Sequence, residues 1–222
     1  MPSRTKVMSF TYAVALTCAL CSPVHVTGAY AQAVVSWTEK QLGLRIERYA
    51  FLTPEGVAKI VDVADDDLEP AATLSTERVF VFKGGLTDRV RADTFFRAIV
   101  GKQTGATVYQ LYARLRYSGE MRRFTVANYD DGGQPTGVPL IVADRRVECL
   151  YGNCGGIEDV AFTVPEETMR ALAMRAAERP VQPWRVRFKA ENGQDWTDDI
   201  APAEAAGLLI AVDRYRRDHK LQ

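Results

Sequence analysis

Residues 106 to 117, "ATVYQLYARLRY", constrain this chain more than any other stretch. Tyr109, Leu111, Ala113, Leu115 and Tyr117 recur at every second position, while Gln110, Arg114 and Arg116 fill the places between. A period of two puts the apolar set on one face of a β-strand, and that face must be covered by another layer. "SGE" and "MRRFTVANY" follow, with Phe124 and Val126 alternating against Arg123 and Thr125, so the reading is an antiparallel hairpin over Ala106–Tyr129. Further strands are expected at Val160, Phe162 and Val164 and in a second hairpin, Trp184–Ile200, turning at Asn192–Gly193. "RVFVFKGG" reads as another strand, and "RIERYAFL" and "KIVDVA" flank a turn at Thr53–Gly56.

Helical spacing is rarer. Phe95, Phe96, Ile99 and Val100 in "RADTFFRAIVGKQTG" cluster as on one helix face, with Gly101 as a stop. "TVPEETMRALAMRAA" opens with Thr163 and Glu166 at capping-box spacing around Pro165, and ends near Pro180. "PAEAAGLLIAVDRYRRDHK" closes the chain with Leu208, Leu209, Val212 and Tyr215 on one side. The expected fold class is β-rich α+β: an antiparallel β-sandwich or sheet with two or three covering helices.

Chemistry is limited by what the N-terminal segment removes. Arg4 and Lys6 precede an apolar run, Val7–Leu20, and "GAYA" supplies small residues before Gln32, so residues 1 to 31 read as a secretory signal peptide. The run is shorter than the roughly 20 residues of a spanning helix, and no stable membrane insertion is expected. Leu20 before Cys21 and Thr17 before Cys18 do not fit a lipoprotein signal. Residues 32 to 222 then form a single β-rich periplasmic or secreted domain. Losing Arg4 and Lys6 leaves 26 basic and 28 acidic side chains, a net charge of −2, which calls for no nucleic-acid partner.

The same removal takes Cys18, Cys21 and His25, leaving Cys149, Cys154 and His219. An exported chain with one cysteine pair oxidises it. A zinc site would need two more ligands and a reactive thiol would need a base, whereas His219 lies three residues from the C-terminal Gln222. Cys149–Cys154 is therefore expected to be a disulfide, with no metal and no cofactor. Gly152, Gly155 and Gly156 permit a tight turn around it. Such a loop is either an ordinary turn closure or a rigid recognition element presenting Leu150, Tyr151 and Asn153 to an envelope protein or cell-wall component.

From the cysteine pair onward, the order of motifs resembles the C-terminal half of the invasion-associated locus B family of small exported β-rich proteobacterial proteins. The shared order is cysteine, four residues, cysteine, a strand, "VPEETMRAL", a hairpin with "ENGQ", and "PAEAAGLLIAVDRY" with Gly207 before Leu208 and Leu209. It covers about residues 139 to 215, and the chain departs from the family in lacking its N-terminal cysteines. The resemblance implies an envelope protein rather than an enzyme.

Other constellations are weaker. Asp65–Glu69 in "ADDDLEP" and Asn128–Gly133 in "NYDDGG" have calcium-like oxygens without a full binding loop and read as solvated turns. "KGG" and "VGKQTG" lack the spacing of a phosphate loop. Asp195, Asp198 and Asp199 in "DWTDDI" are the acidic residues on which an alternative function, an envelope hydrolase with paired carboxylates, would rest. No catalytic residue is assigned.

Overall fold

Two antiparallel sheets divide the strands. The structure, a computed structural model, describes residues 47, 49–79, 90–150 and 153–221, all within a compact unit spanning residues 41–222. The expected signal segment and most of "RVFVFKGG" lie outside the described residues; Arg78 and Val79 belong to a single 3₁₀ turn, Glu77–Val79. One sheet has six strands in the order β1 (Asp62–Ala64), β2 (Ala71–Ser75), β3 (Val90–Gly101), β4 (Thr107–Ser118), β8 (Asn153–Val164) and β7 (Ile141–Leu150). The other has four, in the order β10 (Trp196–Ile200), β9 (Trp184–Ala190), β5 (Phe124–Asp131) and β6 (Gln134–Pro139). Helices α1 (Pro54–Ile60), α2 (Glu166–Met174) and α3 (Pro202–Asp218) complete a β-rich α+β fold.

The alternating face of β4 is buried as its pattern requires: Leu111, Ala113 and Leu115 lose all solvent contact. Trp184 joins the two sheets, its ring 5.7 Å from Phe96, 5.1 Å from Tyr129 and 6.3 Å from Phe162. Leu208, Val212 and Tyr215 of α3 enter the same core. Gly207 is required by a close approach, since a Cβ there would stand 2.4 Å from Val57 Cγ1 of α1.

Three expectations need correction. Residues 90–101 are strand β3, not a helix: Ala92, Thr94, Phe96, Ala98 and Val100 point into the core at period two, and eleven consecutive pairs with β4 fix them there. The spacing of Phe95, Phe96, Ile99 and Val100 fits a helix face and a strand buried on both sides equally well, and the ladder decides. Ala106–Tyr129 is not one hairpin either. Both edges of β4 are occupied, by β3 and β8, and β5 pairs with β6 and β9. The chain changes sheets across Gly119–Arg123, with Gly119 at φ 93° and Arg123 at φ 55°. Finally, Thr53–Gly56 is no turn between strands but the start of α1, where the Thr53 hydroxyl accepts the Gly56 amide at 3.1 Å.

Smaller adjustments follow from geometry. Thr163 lies within β8 and does not cap α2, because Pro165 takes the N-cap position. The second hairpin forms as expected, with Trp196 opposite Phe188, but its loop runs from Glu191 to Asp195 with Gly193 at φ 76°.

Candidate functional site: the stapled hairpin

Strands β7 and β8 form a hairpin with Cys149 directly opposite Cys154 and Leu150 opposite Asn153. The two cysteines are joined, with S–S at 2.06 Å and Cα atoms 4.0 Å apart. The staple thus locks the last pairs of the ladder, one residue short of the tip. Tyr151 and Gly152 lie outside the described residues, and for Leu150 and Asn153 the backbone pairing is what is described. Gly155 and Gly156, expected in the turn, are instead strand residues of β8. They are small because Tyr117 presses on them: a Cβ on Gly156 would stand 2.6 Å from the Tyr117 ring, and one on Gly155 2.5 Å from the Tyr117 carbonyl oxygen.

The base of the hairpin is held by a carboxylate that sequence reading passed over. Glu158 is fully buried. Its Oε1 accepts the Tyr117 hydroxyl and the Arg123 amide (2.9 Å), and its Oε2 accepts the Phe124 amide (3.0 Å) and Arg145 Nε (2.8 Å). Arg145 also donates to the Phe124 carbonyl. The Tyr117 oxygen in turn accepts the Arg122 amide at 2.9 Å, and the Arg122 guanidinium lies 4.8 Å above the Tyr117 ring. Burial first, and donation to Glu158 second, push the Tyr117 phenol up to about 12. One side chain from β8 therefore fastens the crossover between sheets and, through Arg145, strand β7. The signal was present: Glu158 is in phase with Val160, Phe162 and Val164, a charge on a buried face that must be paired.

On the opposite face, Arg146 bridges Asp144, Glu148 (3.3 Å) and Asp159 (3.5 Å), and Arg114 Nε meets Asp159 at 2.7 Å. Large apolar side chains nonetheless remain exposed on β7: Ile141 is 52%, Val142 40% and Val147 57% accessible. The candidate element is thus a disulfide-bridged hairpin whose outer strand exposes apolar and charged side chains.

The acidic clusters do not converge. Asp195 accepts the Ala190 amide at 3.0 Å and pairs with Lys189. Asp198 faces the core and accepts the Thr94 hydroxyl at 2.6 Å, whereas Asp199, on the other face of β10, meets Arg185 Nε at 3.1 Å. Consecutive strand residues point to opposite sides, so Asp198 and Asp199 do not face one cleft, and Asp195 lies before β10 with its own partners. Asp130 accepts the Gly133 amide at 2.7 Å, and Asp131 accepts the Thr168 hydroxyl at 3.1 Å. No group of three or more potential metal ligands occurs among the described residues.

Asp65 has a different role from the solvated turn expected of it. Lys102, from "VGKQTG", lies 2.5 Å from its Oδ1; Tyr215 donates to its Oδ2 at 2.9 Å, and His219 Nε2 stands 3.6 Å away. His219 stacks on Tyr215 with ring centroids 4.1 Å apart. This clasp ties the end of α3 to the β1–β2 and β3–β4 turns. The Lys102 ammonium above all, then the Tyr215 hydroxyl, holds the Asp65 carboxyl below its ordinary 3.8. A depressed carboxyl contributes stability above the unfolded value and loses it as pH falls toward the folded one. Asp65→Asn should therefore lower stability in urea melts at neutral pH, and the gap from the parent should close as pH drops below 3.8. A gap unchanged in acid would show that the carboxylate charge is not what holds the clasp.

No helix among the described residues is long and apolar enough to cross a membrane. Compared with protein-family models, curated proteins and solved structures, the chain matches none.

Proposed function

We propose that this chain is a noncatalytic binding protein of the bacterial envelope, periplasmic or secreted, whose contact element is the stapled β7–β8 hairpin. The observation that carries the reading is the Cys149–Cys154 bridge set one pair from the tip of an exposed hairpin. A disulfide persists in an oxidising compartment, in keeping with the signal-like residues 1 to 31. Closing so short a loop contributes only about 2 kcal/mol in the chain-entropy model, while the Glu158 network already holds the hairpin base. The bridge is better accounted for as ordering of the tip, which lowers the entropy lost on contact. The family resemblance points to the same class of envelope protein.

The test has two parts. Intact mass of the exported protein should show loss of residues 1 to 31 and two cysteines that resist alkylation until reduced. Cys149→Ser with Cys154→Ser should leave a folded domain whose Tm falls by roughly 4–8 °C. That variant and Tyr151→Ala should both co-sediment less with isolated cell-wall sacculi or envelope fractions than the parent. Full retention by both variants sinks the recognition reading and leaves the bridge as turn architecture.

A further inference from the structure

Sheet edges expose unpaired backbone groups, and among the described residues this fold protects three of its four. Among the described residues, β1 is three residues long, β10 is five, and β6 carries Pro135 and Pro139. Strand β7 is different: it runs for ten residues without proline, and Val147 within it is 57% exposed. We propose that a second copy of this chain adds to the six-stranded sheet along β7, antiparallel, with the two-fold axis through Val147.

The register follows from hydrogen-bond phase and charge. Leu150 and Asn153 close the hairpin, and the Cα atoms of Cys149 and Cys154 are 4.0 Å apart, the close spacing of a non-hydrogen-bonded pair. Pairs alternate along an antiparallel ladder, so Arg145, Val147 and Cys149 turn their amides and carbonyls away from β8, toward the open edge. A second β7 must meet them with the same residues. Centring the axis on Arg145 or Arg146 sets that arginine against its own copy, and the Arg146 choice also faces Asp144 with Glu148. Centring it on Glu148 opposes two glutamates. Centring it on Val147 pairs Val147 with Val147, Arg146 with Glu148 twice, and Arg145 with Cys149, with no like charges opposed. The overlap, residues 144 to 150, stops short of the irregularity between Val142 and Asp144. The paired residues 144 to 150 exclude Tyr151, so this association stands whether or not the tip binds an envelope component.

Sedimentation equilibrium of the signal-free protein over a concentration series tests the register. The parent should weigh as two chains. Val147→Lys, which opposes two ammonium groups on the axis at an already exposed site, should weaken association at least tenfold while its circular dichroism stays that of the folded parent. Glu148→Arg should do the same by facing Arg146 of the other copy, and adding Arg146→Glu to it should restore the dimer. A parent that weighs as one chain up to about 1 mM overturns the proposal. So does a dimer that persists in Val147→Lys, or a charge-swapped variant that stays monomeric while folded.

Discussion

Glu158→Gln should cost about 3–5 kcal/mol of folding stability, the range for breaking one side of a buried ion pair. The amide would turn an NH₂ toward two of the four donors that now converge on the carboxylate, from Tyr117, Arg123, Phe124 and Arg145. Four donors around a buried carboxylate lose part of their acceptor together, and the penalty for unsatisfied buried groups exceeds the net worth of the bonds themselves. Because whole domains are stable by only about 5–15 kcal/mol, the melting temperature should fall by roughly 10 °C. Glu167→Gln, an exposed change on α2, is the control and should stay within about 0.5 kcal/mol. Calorimetry decides it: a Glu158→Gln loss below about 1 kcal/mol would show that the crossover is held by packing rather than by this carboxylate.

Trp184→Ala should be comparably severe, at about 3–5 kcal/mol, for a different reason. Trp184 is 1% exposed and stands between the sheets against Phe96, Tyr129 and Phe162. Its truncation leaves a cavity that two paired ladders cannot collapse to fill. Trp184→Phe keeps an aromatic ring and should lose less, chiefly the Nε1–H bond to the Asp130 carbonyl at 3.0 Å and some contact area. Denaturant unfolding ranks the two; equal losses would mean that the hydrogen bond to β5 within the four-stranded sheet, not the ring's packing between the sheets, carries the stability.

Local pattern was a good guide where one face of an element is buried and the other wet. The β4 face from Tyr109 to Tyr117, the Val160–Val164 strand, the Trp184–Ile200 hairpin and the closing helix all stand where their periodicity puts them. Pattern failed at β3, where Phe95 and Phe96 are neighbours and both buried, so that two periods fit the same residues. It failed again at Gly119–Arg123, because alternation says that a strand has a buried side but not which strand lies beside it.

The candidate site divides along the same line. The cysteine spacing was enough to suggest that Cys149 and Cys154 could be bridged, since closure needs only six consecutive residues. Tertiary structure alone decided that Glu158 would hold Tyr117 and Arg123, and that Asp65 would hold His219, partners 35 to 154 positions away in sequence. It likewise decided that β7 would stand at an edge with Val147 in the open. Contacts between distant residues depend on which sheets form and how they stack. That choice is made by the burial and pairing of all strands together, and no single segment carries it.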